Sequence, residues 1–215
     1  MGKMNVLAIG AHFDDIECGC GGTIAKHILA GDDVTMLVVS DSAYFDRILK
    51  HGRTKEQALR EGNEGAKILG VKNLKCLEYK GRVFEVSLKL VEDLEAIIRE
   101  LKIDTVYTHW IHDVHQDHST ISRATLTAAR YVPRLLMYQS NWYIPAKIFN
   151  GNFYVDISDV INKKIEAIKA HLSEYKRKGE EKWIDFIITQ NHAEGVKLGK
   201  QYAEVFEIVR YLKEN

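Results

Sequence analysis

Short apolar segments alternate with amphipathic segments along the first two thirds of the chain, and this alternation restricts the folds that the chain can adopt. The apolar, β-branched segments predict strands at 4–11, 33–40, 74–79, 104–109 and 134–140. The segments between them predict helices at 21–31, 54–70, 87–101 and 119–131. Strands that alternate with helices over short connections form a parallel sheet. We therefore expect a Rossmann-like α/β fold with helices on both faces of the sheet.

The last third of the chain has a weaker pattern. It predicts a short strand, a helix capped by Ser158, a helix in the first part of 181–201 and a final strand at 202–212. Within it, the charged segment 163–182 is typical of a solvated helix face. In the first helix, at 21–31, Thr23 is the expected N-cap. No change in composition marks a boundary, so we expect a single domain over 1–215.

Charge and hydropathy exclude several classes of partner. The chain has 30 basic and 30 acidic residues and a net charge of zero, which argues against bulk electrostatic binding to nucleic acid. No apolar run approaches the ~20 residues that span a bilayer, and the N-terminus does not resemble a signal peptide. We expect a cytoplasmic protein without membrane insertion. Its three cysteines, Cys18, Cys20 and Cys76, do not predict a disulfide framework.

Two polar stretches follow predicted strands. The first is AIGAHFDDIECGCGGT, at 8–23, and the second is THWIHDVHQDHST, at 108–120, which contains four of the nine histidines. In parallel α/β sheets, ligands bind beyond the carboxyl ends of the strands. Because several buried imidazoles and carboxylates need partners or a metal, we expect one polar site that both stretches form.

The residue types in these stretches favour a metal site. His12 and Asp15 lie three residues apart around a tight turn, and the second stretch adds a histidine at a helix start. Histidine nitrogen and carboxylate oxygen are zinc ligands, and a catalytic zinc keeps an open position. Asp14 is then available for proton transfer. Considered alone, His12 is typical of a histidine in a turn or core, and the Asp14–Asp15 pair is typical of a helix cap. Considered together, the two stretches favour a metal site.

The same residues carry a resemblance to a known family. AHFDDIECGCGGT resembles the A-H-P-D-D-[IE]-E-x-G-C-G-G-T signature of the LmbE-like, or PIG-L, family of zinc-dependent N-acetylglucosamine deacetylases. HDVHQDH resembles the family's second signature, H-D-x-H-x-D-H. LREGNEGAKILGV and the C-terminal segments are also similar to the family. The resemblance implies an enzyme that removes the acetyl group from an N-acetylglucosamine-type amino sugar, whether free, glycosidic, or linked to a nucleotide or lipid.

The resemblance also implies roles for individual residues. It implies that Asp14 is the general base, that His115 stabilises the oxyanion or acts as a cationic acid, and that Asp117 orients a histidine. It implies that His12, Asp15 and His118 bind the metal, and that Arg53 and Asp113 bind the substrate. The metal expected is Zn²⁺, although Fe²⁺, Co²⁺ or Mn²⁺ suits the same ligands. The resemblance further implies a homo-oligomer, a trimer or a hexamer.

One position departs from the family pattern, because Phe13 replaces the usual proline. Proline stiffens a turn by fixing φ, so we expect a freer turn here, with a ring near the substrate.

Two other functions stay open from the sequence. One is a zinc amidase that acts on a thiol-sugar conjugate or another acylamide, and the other is a non-catalytic metal-binding or sugar-binding module.

Overall fold

The computed structural model describes residues 2–46, 51–81 and 83–213. The strands are β1 (Asn5–Gly10), β2 (Asp33–Ser40), β3 (Tyr44–Asp46), β4 (His51–Arg53), β5 (Asn73–Tyr79), β6 (Thr105–His109), β7 (Arg134–Tyr138), β8 (Phe153–Asp156) and β9 (Ala203–Tyr211). The helices are α1 (Asp15–Ala30), α2 (Lys55–Leu69), α3 (Leu88–Glu100), α4 (Gln116–Ala128), α5 (Ile161–Lys169), α6 (Leu172–Arg177) and α7 (Glu181–Val196). The polar segment 41–53, which follows β2 in the sequence, includes residues 47–50, and these lie outside the described residues.

A seven-stranded sheet forms the centre of this α/β fold, in the order β5-β2-β1-β6-β7-β9-β8. The five strands from β5 to β7 pair in parallel, which confirms the predicted parallel sheet. The strands β9 and β8 extend it in the antiparallel direction, so the sheet is mixed at one edge. The sequence predicted both as strands but not their direction. Every described helix is too short or too polar to span a bilayer.

Both faces of the sheet are covered by helices, as predicted. Alternate residues of β1 enter different cores: Val6 and Ala8 pack toward α1, α2 and α5, whereas Leu7 and Ile9 pack toward α3 and α4. All four side chains are fully buried. A strand that is buried on both faces is apolar throughout rather than alternating, which is why the sequence of β1 reads as one apolar run.

Helix α1 begins at Asp15, six residues before the predicted start, and bends at Cys20, where φ is −145°. The bend frees the backbone N–H groups of Gly22 and Thr23, which donate to the two carboxylate oxygens of Glu204 on β9 at 2.9 and 2.6 Å. The prediction that Thr23 caps this helix is therefore wrong, because a carboxylate from a distant strand takes that role. The predicted Ser158 cap is also wrong, since α5 begins at Ile161 after Val160.

The charged segment 163–182 is not solvated throughout, contrary to the prediction. Lys164, His171 and Glu174 are all buried. Each has a partner of opposite charge on another element; the Nζ atom of Lys164, for example, lies 2.6 Å from Oε1 of Glu204. Buried charges persist only when they are paired and hydrogen-bonded. Sequence-local charge patterns cannot show such partners, because they come from far along the chain.

The Lys164–Glu204 pair gives a test of this packing. Replacing Glu204 with Gln keeps its shape but leaves the ammonium of Lys164, whose side chain is 0% exposed, without a counter-charge. We expect the free energy of unfolding to fall by about 3–5 kcal/mol, measured by urea denaturation followed by circular dichroism. The double variant Lys164→Met/Glu204→Gln is expected to recover part of that loss, because it removes the uncompensated charge.

The matched control is Asp159→Asn, which removes the carboxylate from an exposed pair with Lys26 at 3.0 Å. Exposed pairs contribute at most about 1 kcal/mol, so this variant should unfold almost like the wild type. A loss in Glu204→Gln no larger than the loss in Asp159→Asn would contradict the role assigned to the buried pair.

Candidate active site

The two polar stretches meet at one edge of the sheet. Strand β1 pairs in parallel with β6, so the loop 11–14 after β1 lies beside the residues that follow His109 at the end of β6. Helix α4 begins at Gln116, three residues earlier than predicted, with His115 as its N-cap residue. This early start places Asp117 and His118 in the first turn of the helix, where both face the β1 loop.

The loop after β1 has an unusual backbone at Asp14, where φ is 119° and ψ is −22°. A non-glycine residue with positive φ is strained and persists only where surrounding contacts impose it. Hydrogen bonds to the backbone of the two preceding residues, His12 and Phe13, supply those contacts. The N–H of His12 donates to Oδ2 of Asp15 at 2.7 Å, and the N–H of Phe13 donates to Oγ of Ser42 at 3.0 Å. The carbonyl of Phe13 accepts from Nη2 of Arg53 at 3.2 Å.

The expectations for Phe13 are therefore wrong. Its ring does not line the cavity but is buried, 2% exposed, against Gly62 of α2, where a Cβ atom would collide with it. The turn is held rather than freed, because Ser42 and Arg53 bind the backbone of Phe13 on either side. A proline here has no N–H to donate to Ser42. This chain fixes the turn by hydrogen bonds and packing in place of a restricted φ.

Two histidines in the site each have one ring nitrogen bound to a carboxylate and the other turned toward Asp15. In His12, Nε2 lies 2.9 Å from Oδ2 of Asp117, and Nδ1 lies 3.4 Å from Oδ2 of Asp15. In His118, Nδ1 lies 3.0 Å from Oδ2 of Asp113, and Nε2 lies 3.2 Å from Oδ1 of Asp15. Metal-binding histidines are held in this way, with a carboxylate behind the ring that fixes its tautomer and orientation.

The donor atoms around His118 form two groups in which all atoms lie within 4.8 Å of one another. One group contains His12 and His115 with His118, and the other contains Asp15 and His109 with His118. The expected ligands His12 and Asp15 thus fall in different groups, although they are in contact. His109 already accepts a hydrogen bond at Nε2 from the N–H of Ala11, at 3.0 Å, which makes it a poorer donor to a metal.

Charge in the cluster favours a cation between the carboxylates. Burial lowers the pKa of His118, but the carboxylates of Asp15 and Asp113 outweigh it and raise that pKa to about 10. Burial raises the pKa of Asp15, but the charges of His118 and His109 lower it well below its usual range. The carboxylate of Asp15 is therefore ionised, and it attracts positive charge to the point where the rings meet.

His115 has a different electrostatic environment. Burial, together with the charges of His118 and His12, lowers its pKa to about 4. Its Nδ1 accepts the N–H of Asp117 at 3.2 Å, so the neutral ring carries its proton on Nε2. His115 lines the cavity, so this environment favours a neutral hydrogen-bond donor over the cationic acid among the two roles that the resemblance implies.

The carboxylate of Asp14 is 5% exposed and lines the same cavity. Its Oδ2 accepts from Nζ of Lys178 at 2.8 Å. That ammonium also lies 4.1 Å from the centre of the Trp183 ring. Although burial lowers the pKa of Lys178, the negative charge of Asp14 outweighs it and raises that pKa. Asp14 therefore has a permanent cationic neighbour and does not face His12 or His118 within hydrogen-bond range.

The cavity has a volume of about 300 Å³. Arg53 lies in its wall, as expected for a substrate-binding residue. Two of its nitrogens hold backbone instead: Nη2 donates to Phe13 after β1, and Nε donates to Ser42 after β2. Asp113 does not line the cavity. It lies behind His118 and also accepts two hydrogen bonds from Asn141, at 2.7 and 2.9 Å, so the structure gives it an orienting position. Aromatic residues complete the wall: Tyr44, Trp142, Tyr143, Trp183 and Phe186.

Sequence reasoning did not select several residues of the site. His109 carried a usable signal, since it ends a predicted strand inside the histidine-rich stretch. Asn141 follows β7, the next strand of the sheet, and a polar residue there was a second available signal. Glu174 and Lys178 carried no local signal, because they belong to a charged segment that resembles an ordinary solvated helix.

The chain is similar to known proteins in sequence and in fold. The chain is 32% identical over 181 residues to the uncharacterised deacetylase YaiS of Escherichia coli, covering 80% of this chain and 92% of that protein. It is 25% identical to the structure of the N,N'-diacetylchitobiose deacetylase of Pyrococcus horikoshii, with a TM-score of 0.81, covering 95% and 83% of the two chains.

A second structure shows only the fold. GalB, a 4-carboxy-2-hydroxymuconate hydratase of Pseudomonas putida, matches with a TM-score of 0.77 at 19% identity over 99% of both chains. The fold by itself therefore does not determine the reaction. The family assignment comes from the sequence, because the family model "PIG-L: GlcNAc-PI de-N-acetylase" matches residues 7–129, more than half of the 215 residues. Because this match covers more than half of the chain, the chain belongs to the PIG-L family of deacetylases.

Proposed function

We propose that this protein is a metal-dependent deacetylase that hydrolyses the acetamide group of an N-acetylglucosamine-type amino sugar. One observation carries the proposal: a buried carboxylate, Asp14, opens into the cavity directly beside a histidine cluster but is not part of it. A protein that only binds metal needs the cluster and does not need Asp14 held at a strained φ. Hydrolysis needs both.

The residues present fit a divalent metal. Asp15 faces one nitrogen of His12 and one of His118, and a carboxylate orients each ring from behind. We propose these three residues as ligands, with Zn²⁺ as the metal; Fe²⁺, Co²⁺ and Mn²⁺ accept the same donors. When bound, the metal supplies Lewis acidity, which polarises a carbonyl and lowers the pKa of a water molecule.

The chain's own residues would carry the proton transfers. The carboxylate of Asp14 takes a proton from the water that attacks the amide carbon, and it returns a proton to the nitrogen of the leaving amine. The Nε2–H group of His115 donates to the carbonyl oxygen as negative charge develops there. Asp117 and Asp113 hold the rings of His12 and His118 in place, so neither carboxylate needs to contact the substrate.

Other expectations from the sequence stay predictions. They are the single domain over 1–215, the cytoplasmic location and the trimer or hexamer. The amidase that acts on a thiol-sugar conjugate also stays open, because it uses the same residues on a different acylamide. A panel of N-acetylated sugars and acylamides, assayed for acetate or amine release, separates the two substrate classes.

The role of Asp14 is tested by Asp14→Asn. The amide keeps the size of the side chain but cannot take a proton, so we expect the variant to retain its metal and to lose about 10²–10⁴-fold in kcat. Acetate release from N-acetylglucosamine compounds gives the rate, and elemental analysis gives the metal content.

The matched control is Asp33→Asn, an exposed carboxylate at the start of β2, at the opposite end of that strand from the site. It should retain both metal and activity. If Asp14→Asn deacetylates at the wild-type rate, Asp14 is not the base and the proposed mechanism fails.

The metal site is tested by His118→Ala, since His118 belongs to both donor groups. We expect the purified variant to contain much less than one equivalent of metal and to show no acetate release. Chelation of the wild type should abolish activity, and added Zn²⁺ should restore it.

His112→Ala is the control, because His112 lies in the same histidine-rich loop but is exposed and belongs to neither donor group. It should bind metal like the wild type. A full equivalent of metal in His118→Ala would show that the ligand set is wrong.

A further inference from the structure

One part of the cavity wall contains a buried donor and a buried acceptor that face each other without a hydrogen bond. Nη1 of Arg53 and Oε1 of Glu174 are 3.8 Å apart, and their side chains are 2% and 5% exposed. Neither atom has a hydrogen-bond partner among residues 2–46, 51–81 and 83–213. An unsatisfied buried polar atom costs about 1–3 kcal/mol, and more when the group is charged. Two of them together in a cavity therefore indicate a missing ligand group.

Both side chains are held in place by their remaining atoms. In Arg53, Nε donates to the carbonyl of Ser42 at 3.3 Å, and Nη2 donates to the carbonyl of Phe13 at 3.2 Å. In Glu174, Oε2 accepts from Nε of Arg177 at 2.8 Å and from Nη2 of the same residue. The side chain of Tyr44, in the same wall, also interacts with the Glu174 carboxylate. Nη1 of Arg53 and Oε1 of Glu174 are the atoms of these two groups that make no hydrogen bond, so they form a preorganised pair rather than two mobile side chains.

The cations of this wall are paired with nearby carboxylates. Its cations are Arg53, Arg177 and Lys178, and each lies within 4 Å of a carboxylate from Glu61, Glu174 or Asp14. Burial raises the pKa of Glu174, but Arg177, Lys178 and Arg53 outweigh it and lower that pKa to about 2, so Glu174 is an ionised acceptor. A phosphate or carboxylate on the ligand would be repelled by Glu174, and an ammonium group would be repelled by Arg53.

We infer that Arg53 and Glu174 together bind one neutral hydroxyl group of the sugar, with Nη1 of Arg53 donating to its oxygen and Oε1 of Glu174 accepting its proton. A hydroxyl offers one donor and two acceptor lone pairs, so it satisfies both atoms at once. The inference deepens the proposed function and rests on it for the choice of an amino sugar. It makes Glu174, which lies outside the family match at 7–129, a specificity-determining residue for an unphosphorylated hydroxyl.

Binding to an inactive protein tests the inference without depending on turnover. The ligands are N-acetylglucosamine and its 3-deoxy, 4-deoxy and 6-deoxy analogues, and calorimetry measures Kd with metal-loaded Asp14→Asn protein. Removing the contacted hydroxyl leaves both protein atoms unsatisfied. We expect one of the three analogues to bind about ten- to a hundredfold more weakly than the parent sugar, because a hydrogen bond to a charged group is lost.

The second variant combines Asp14→Asn with Glu174→Gln. It should bind the parent sugar about ten- to a hundredfold more weakly, and it should bind the affected analogue no more weakly than Asp14→Asn alone. The control adds Glu61→Gln instead. Glu61 faces Nη1 of Arg53 at 3.7 Å but is not in the cavity wall, so any loss it causes should be the same for all four ligands. Metal content and thermal unfolding confirm that each variant is folded.

The outcomes separate the inference from the proposed function. If Glu174→Gln weakens all four ligands equally, or if no analogue binds more weakly than the parent, the pair does not contact a hydroxyl and the inference is overturned. If the affinities follow the expected pattern while metal-loaded wild type releases no acetate, the subsite stands and the deacetylase proposal fails. If N-acetylglucosamine does not bind at all, the inference also fails.

Discussion

The carboxylate of Asp15 is the point on which the site depends. It accepts the N–H of His12, and it faces ring nitrogens of His12, His109 and His118. It therefore connects the loop after β1 with the end of β6 and the start of α4. Without an anion at this position, ring nitrogens of three histidines would face one another with no negative charge between them. The expected metal set and the geometry of the loop both follow from this one side chain.

The glycine-rich start of α1 allows close packing. A Cβ atom at Gly19 would collide with the ring of Tyr138, and one at Gly22 would collide with Ile157. The helix thus approaches β7 and the segment before α5 closely enough to fix its own position. Since Asp15 is the first residue of this helix, the close packing of its glycines also helps to position the site.

The site has two halves that differ in how they are held. The half formed by Asp15, His12 and His118 depends on residues near the strand ends, and its contacts span the two signatures. The other half depends on Arg53, Glu174 and Lys178, which reach the cavity from the β3–β4 hairpin and from α6 and the residue that follows it. A fold shared with a hydratase leaves the reaction undetermined. In the proposed function, the chemistry depends on the first half and substrate choice on the second.

The sequence alone determined the parallel sheet, the helices on its faces and the meeting of two polar stretches at one edge. These follow from local hydrophobic periodicity, which depends on neighbours along the chain. It did not determine that Phe13 packs inward on Gly62, that Asp113 lies behind His118, or that Glu174 is buried and Lys178 half-buried beside Asp14. Those outcomes depend on partners far away in sequence, such as Lys178 beside Asp14, 164 positions apart. Only the tertiary structure brings such charges within reach of each other, and burial then makes their pairing necessary.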